Sequence, residues 1–180
     1  MFGWKNTALI GIGLVGILMG VAHAQTPLNA PDWAAMLECR ISAEKYLNFV
    51  LNDFQQSRYK KSIGVKRVRQ DNPFLHEYEL NKPVSVYGYT TRRVAFTSSG
   101  VMALVDERDP AQLAHRLGLD IAYHGGEKIL ASKVLSKTEP EPFIDDVLMW
   151  HVVSQEVSTV SSHPGKTLVG CSYRMETNEK

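Results

Sequence analysis

The 180 residues carry 20 Lys and Arg against 19 Asp and Glu, which gives a formal net charge of +1 at pH 7. A chain so close to neutral lacks the strong positive field that drives nonspecific binding to nucleic acid, so we expect no nucleic-acid partner. The length fits one domain that buries a core of its own and needs no metal to hold it together.

The first 24 residues have the pattern of a cleavable secretory signal peptide. Lys5 precedes an apolar run over 8–21, and Ala22-His23-Ala24 places small residues at both positions that the cleaving peptidase requires. Since the run falls short of the roughly 20 apolar residues that span a bilayer, we expect the leader to be removed. The sequence therefore predicts a single soluble domain over 25–180 without a permanent membrane span, exported to the periplasm or, as the alternative, secreted outright.

Two cysteines are present in the sequence, Cys39 and Cys171. In an exported protein an even number of cysteines favours a disulfide, so we predict that these two are bridged. The alternative is two separate buried thiols. No C-x-x-C redox motif is present, and the histidines and cysteines lack the spacing of a metal site. We therefore expect a structural bridge, with no metal and no cofactor.

A long amphipathic helix is predicted after Asp32, which is placed to cap it. From Trp33 to about Gln56, apolar residues recur every three or four positions, which is the spacing of one helix face. Cys39 lies on that face, as a bridge to the core requires. The apolar positions are Met36, Cys39, Ala43, Tyr46, Leu47, Val50 and Phe54.

A basic run follows, with six cations in the twelve residues of 58–69. They are Arg58, Lys60, Lys61, Lys66, Arg67 and Arg69. One interpretation is a binding site for an anionic partner, such as a glycan or a lipid head group. The other is a solvated strand, because acidic residues elsewhere balance the charge of the chain. A further hypothesis pairs this run with the acidic stretch from Glu139 to Asp146, in the same chain or in a second copy.

Four segments in the middle of the chain have the composition of short strands in an antiparallel meander. They cover 74–80, 84–89, 93–97 and 101–105. Tyr78, Tyr87 and Tyr89 lie in this meander and would form an aromatic platform for a sugar or a peptide if they shared an exposed sheet face. The alternative is that these tyrosines belong to the core.

A short second helix is predicted from Pro110 to Leu117, with Asp109 as its cap and Gly118 as its stop. A turn is predicted at Pro164-Gly165. The remaining predicted strands cover 120–124, 127–137, 147–153 and 167–174. Together these elements predict an α+β domain in which one long N-terminal helix packs on a mostly antiparallel sheet, with one short additional helix.

The sequence contains no G-x-S-x-G, no H-E-x-x-H and no glycine-rich phosphate loop, so no catalytic residue is assigned. This favours a small non-enzymatic interaction module that binds another envelope or secreted protein. The first alternative is a binder of anionic glycan or lipid head groups through the basic run. The second is an envelope hydrolase whose site is assembled from distant residues such as Ser99, Asp146 and His151.

Overall fold

The computed structural model describes residues 30–69, 72–126, 128–144 and 146–178. The predicted signal peptide lies outside the described residues. Among the helices that the structure describes, none is long and apolar enough to span a membrane.

The helices of the described residues are all short. They are α1 (Trp33–Leu37), α2 (Ala43–Asn48), a π-helical turn (Phe49–Asp53), α3 (Ser57–Ser62) and α4 (Pro110–Arg116). Asp32, Ser42 and Asp109 cap α1, α2 and α4, because each side-chain oxygen accepts the backbone N–H three residues further on. The cap predicted at Asp109 and the short helix after it are therefore present.

The predicted long N-terminal helix is wrong, because the chain turns between α1 and α2. Cys39 has a φ of 58°, a left-handed conformation that the interior of an α-helix does not contain. Ser42 then begins a new helix by accepting the N–H of Lys45 at 3.2 Å. The apolar spacing continues across the turn because both helices face the same core. The fold is a large antiparallel sheet with short helices, and not an α+β domain built on one long helix.

The described residues form one antiparallel sheet of nine strands. The strands are β1 (Lys66–Arg67), β2 (His76–Val86), β3 (Tyr89–Phe96), β4 (Gly100–Val105), β5 (Asp120–Gly125), β6 (Lys128–Lys137), β7 (Glu141–Ile144), β8 (Val147–Ser158) and β9 (Thr167–Thr177). Their order is β1-β2-β3-β4-β9-β8-β6-β5, and β7 also pairs with β8. The last strand of the chain therefore lies in the middle of the sheet, between β4 and β8.

The meander differs from its prediction at the first hairpin. Residues 81–83 do not form a turn; β2 continues through them with a register shift between Glu79 and Val84. The turn lies instead at Tyr87-Gly88, where φ is 49° and 86°. Two successive positive φ angles are what a type I′ hairpin turn requires. A tyrosine rarely adopts a positive φ, so composition did not indicate this turn.

The four helices pack on one face of the sheet, here called the helix face. Tyr46 of α2 stacks on Tyr173 of β9 with ring centroids 4.2 Å apart. The predicted disulfide is confirmed: Cys39, in the turn after α1, is bonded to Cys171 of β9, with Cα atoms 5.2 Å apart. Ring stacking and the covalent bridge therefore both fix the N-terminal helices to the central strand.

The opposite face is covered in part by residues 159–166, which connect β8 to β9 and are here called the strap. Val160 of the strap packs on a small apolar cluster on this face. The cluster contains Leu75, Ala95, Met102, Leu104 and Leu168. Cover on both faces explains why every residue of β4 is buried, although a strand covered on one side buries only alternate residues.

Candidate functional site

The basic run forms an edge of the sheet, through α3 and the short strand β1. In β1, Lys66 lies opposite Glu79 and Arg67 lies opposite Tyr78 of β2. Gly64 joins the two elements with a φ of 70°, and a Cβ at this position would lie 2.6 Å from the Asn81 side chain. Because only glycine fits there without strain, the chain can turn sharply and place the cations of α3 beside those of β1.

Two clefts open on this edge, and Arg67 lines both of them. The first has a volume of about 420 Å³ and lies between the end of the basic run and the start of β2. The second, of about 310 Å³, lies between α3 and β1. The cationic side chains of the two clefts are Lys60, Lys61, Lys66, Arg67 and Arg69. Among the described residues, no Asp or Glu lines either cleft.

The charges of the basic run are not neutralised inside the described part of the chain. None of its six cations forms an ion pair with a described carboxylate. Lys60 lies over the Phe54 ring, 5.3 Å from the centroid. Arg67 donates a hydrogen bond to His76 Nδ1 at 3.2 Å, so that nitrogen acts as an acceptor. Unpaired cations around a cleft create a positive potential that attracts an anion.

The acidic stretch does not meet the basic run within one chain. Glu141 lies in β7 and Glu139 just before it, and β7 pairs with β8. Five strands separate β7 from β1 along the sheet, a path of about 29 Å at the usual spacing between strands. Asp145 lies outside the described residues. Pairing between two copies stays a hypothesis.

The three tyrosines of the aromatic hypothesis lie in different surroundings. Tyr78 is buried in an aromatic cluster of the core. The Tyr87 hydroxyl donates to the Leu37 carbonyl at 3.2 Å, and burial raises the pKa of this phenol. The Tyr89 hydroxyl donates to the carboxylate of Glu107. The structure therefore does not bring these rings together on one exposed face.

The residues suggested for a dispersed hydrolase are also in separate places. Ser99 lies at the turn between β3 and β4, where its hydroxyl accepts from Ser172 Oγ at 3.3 Å. His151 lies in β8, and Asp146 lies in the turn before that strand. No hydrogen bond or ion pair in the described residues joins Ser99, His151 and Asp146.

The sequence analysis missed an ionic cluster under the strap. Glu77 of β2 is fully buried, and its two carboxylate oxygens contact Arg93 and His163 Nε2. His163 Nδ1 lies 2.9 Å from Ser162 Oγ, which accepts a hydrogen bond from Asn72 Nδ2 at 3.0 Å. A serine, an imidazole and a carboxylate are thus in line. The Glu77–His163 contact ties the strap to β2, and the Asn72–Ser162 hydrogen bond ties it to the loop before β2. We interpret the cluster as a clamp that holds the strap on the sheet.

The sequence offered little signal for this clamp, because β2 carries both Glu77 and Glu79 and only the first of them is buried. The partners of Glu77 could not be read from the sequence, because Arg93 lies on the next strand and His163 lies on the distant strap. Local periodicity carries no information about such contacts.

The described residues contain no group of three His, Cys, Asp or Glu side chains placed to hold a metal ion. The chemistry available at the basic edge is recognition of oxyanions, by ammonium groups and by guanidinium groups that can bind two oxygens at once. Comparisons with protein-family models, with curated proteins and with solved structures find no match to this chain.

Proposed function

We propose that the protein is an exported, non-enzymatic binding module that holds an anionic component of the cell envelope on its basic edge. The ligand is recognised by closely spaced phosphates or carboxylates, whether a glycan or lipid head groups carry them. The observation that carries the proposal is that Arg67 is a shared wall of two clefts that have no acidic lining among the described residues. The leader pattern and the disulfide support export, since disulfides persist in oxidising compartments.

The arrangement of the two clefts favours a ligand with several anionic groups. Arg67 and Arg69 present planar guanidinium forks to the first cleft, and Lys60, Lys61 and Lys66 present ammonium groups to the second. A single small anion would occupy one cleft only. A chain or array of anionic groups engages both clefts and gains affinity from the second contact without a second association step.

Titration with heparin, used as a soluble polyanion, tests the proposal. The edge variant carries Lys60→Glu, Lys61→Glu and Arg67→Glu, and the control variant reverses three exposed lysines elsewhere, Lys45→Glu, Lys82→Glu and Lys133→Glu. At about 0.1 M salt, where charges more than about 10 Å apart are screened, we expect the edge variant to bind about tenfold more weakly or worse, and the control to change less than about threefold. Equal losses in both variants would mean that only net charge matters and would refute the proposal.

Two further probes distinguish the sources of the anionic groups. Cosedimentation with phosphatidylglycerol vesicles, but not with phosphatidylcholine vesicles, identifies lipid head groups as the ligand. Binding to alginate, an acidic polysaccharide, with no binding to either vesicle identifies a glycan. In both cases the edge variant should lose the interaction, because the same cations make the contact.

Another envelope or secreted protein is the second candidate partner. Six large apolar side chains are exposed on β6, β7, β8 and β9, and exposed apolar side chains that lie together are typical of protein interaction surfaces. They are Val134, Leu135, Phe143, Ile144, Leu148 and Met175. Apolar contacts are not screened by salt, so a stoichiometric protein partner that the edge variant still captures at high salt would favour this candidate over the first.

A further inference from the structure

Phe74 is the most exposed of the large apolar side chains that the structure describes, at 82 %. It lies in the loop between β1 and β2, and the next residue, Leu75, is buried. Single exposed apolar side chains are common on protein surfaces and by themselves indicate no function. What sets Phe74 apart is the turn that holds it and the charges beside that turn.

The turn at 72–75 fixes the position of this ring. Asn72 Oδ1 accepts the N–H of Phe74 at 2.9 Å, and the N–H of Leu75 closes the turn on the Asn72 carbonyl at 3.4 Å. Asn followed by Pro is typical of such a turn, and the ring of Pro73 fixes its own φ. Asn72 also donates to Ser162 Oγ of the strap at 3.0 Å. The backbone at Phe74 therefore loses little conformational freedom when the side chain makes a contact.

The same turn forms a wall of the first cleft of the basic edge. The residues on both sides of Phe74, Pro73 and Leu75, line this cleft together with Arg67 and Arg69. Both arginines are exposed, and neither forms an ion pair with a carboxylate that the structure describes. An exposed phenyl ring and available guanidinium groups therefore lie next to each other on one surface.

Three carboxylates lie close to the basic edge in the chain or across the sheet, and they offset only part of its charge. They are Asp53, Asp71 and Glu79. Glu79 lies opposite Lys66 and offsets that lysine, and Asp71 lies outside the described residues. Neither Asp53 nor Glu79 lines a cleft of the basic edge. Because six cations outnumber these three carboxylates, the surface around the turn keeps an excess of positive charge.

We infer that the basic edge attaches the protein to the surface of an anionic lipid bilayer, into which Phe74 inserts. The membrane contact rests on the function proposed above and selects one of its two sources of anionic groups. Lys and Arg near an anionic bilayer are attracted to its head groups, and aromatic rings favour the boundary between head groups and acyl chains. A basic patch combined with an apolar anchor is typical of stable attachment to membranes. A soluble glycan would engage the cations and leave the ring in water.

Cosedimentation with vesicles of phosphatidylglycerol and phosphatidylcholine tests the inference. Phe74→Ser should weaken vesicle binding by about tenfold or more, because the ring no longer leaves water. The matched control is Tyr123→Ser, which removes an exposed aromatic ring from β5 at the other end of the sheet and should leave vesicle binding unchanged. Phe74→Ser should bind heparin as the wild type does, because a soluble polyanion makes no use of the ring. Circular dichroism of each variant checks that the fold is kept.

A fluorescent label locates the contact. The disulfide uses both cysteines of the sequence, so Phe74→Cys adds the single free thiol of the protein. A nitrobenzoxadiazole dye attached there takes the place of the ring, and its emission should shift to the blue when the anionic vesicles are added, because its surroundings become less polar. The same dye on Tyr123→Cys should show no shift.

The inference is overturned if Phe74→Ser binds the vesicles as tightly as the wild type, or if the dye at position 74 shows no shift. It is also overturned if the wild type binds heparin but not the vesicles, and in that case the proposed function still holds, with a glycan as the ligand. Failure of the wild type to bind heparin through the basic edge would instead refute the proposed function and the membrane contact together.

Discussion

Glu77 places a carboxylate on β2 where the strap excludes water. Removing a carboxylate from water costs several kcal/mol, which only good partners can offset. Arg93 contacts one oxygen and His163 contacts the other. Glu77 Oε1 has no further hydrogen-bond partner in the described residues. Among the described residues, His163 is therefore the group of the strap that faces this buried carboxylate.

Removal of that imidazole is expected to destabilise the fold. His163→Ala leaves a buried carboxylate oxygen uncompensated and should lower the free energy of unfolding by about 3 kcal/mol. The double variant Glu77→Leu with His163→Ala should recover part of this loss, because no buried charge remains. His76→Ala, at an exposed histidine of β2, is the control and should change the free energy of unfolding by less than about 0.5 kcal/mol. Urea denaturation at pH 7 measures all three, and a double variant less stable than His163→Ala would contradict the clamp.

The helices on the other face are too short to be stable by themselves. α1 has 5 residues and α2 has 6, whereas isolated helices need about 12 to 15 residues to form in water. Their stability must come from packing on the sheet and from the side chains that cap them. At this scale the Cys39 turn matters as much as the helices, because it lets two short apolar faces reach the same core.

The cap of α2 can be tested by one substitution. Ser42→Ala removes the hydroxyl that accepts the Lys45 N–H and should lower the free energy of unfolding by about 1 kcal/mol. Ser57 is exposed and is the first residue inside α3, a helix whose N-cap residue, Gln56, makes no side-chain capping bond. Ser57→Ala is therefore the matched control and should be close to neutral. Thermal unfolding of Ser42→Ala, Ser57→Ala and the wild type measures the two changes in stability. Equal effects would show that serine content, and not the cap, governs the stability of these segments.

At the scale of the whole molecule, the disulfide joins the beginning of the described chain to its central strand. The two cysteines are 132 residues apart, and Cys171 lies in β9, which pairs with both β4 and β8. A bridge that closes so long a loop restricts the unfolded chain strongly. The chain-entropy model assigns it about 5 kcal/mol.

Opening the bridge should therefore weaken the whole domain and not one end of it. Cys39→Ala with Cys171→Ala should lower the free energy of unfolding by about 3 to 5 kcal/mol and steepen its dependence on urea, because the unfolded chain becomes more expanded. The control is the wild-type protein with its disulfide reduced, which should have the same free energy of unfolding as this variant. The expectation would be contradicted if only α1 unfolded at a lower urea concentration in the variant, while the sheet unfolded at the same urea concentration as in the wild type.

Several elements could be predicted because they depend only on residues that are close together in the sequence. Asp109 and Pro110 define the start of α4 through a cap and a fixed φ, and the cation cluster of the basic run is visible in the order of residues alone. The two cysteines of the sequence left one possible bridge within the chain. Where the cause was not local, prediction failed: the apolar spacing over 33–56 fits one long helix as well as two short ones that share a core.

The sequence alone determined the charge balance, the pair of cysteines, the capped helix α4 and the position of the basic run, because each depends on composition or on neighbours a few residues apart. The tertiary structure decided that Arg67 lines two clefts and that Glu77 meets His163. These features arise from the pairing of strands far apart in the chain. Periodicity reports which face of an element is apolar, but it carries no information about which element will cover that face.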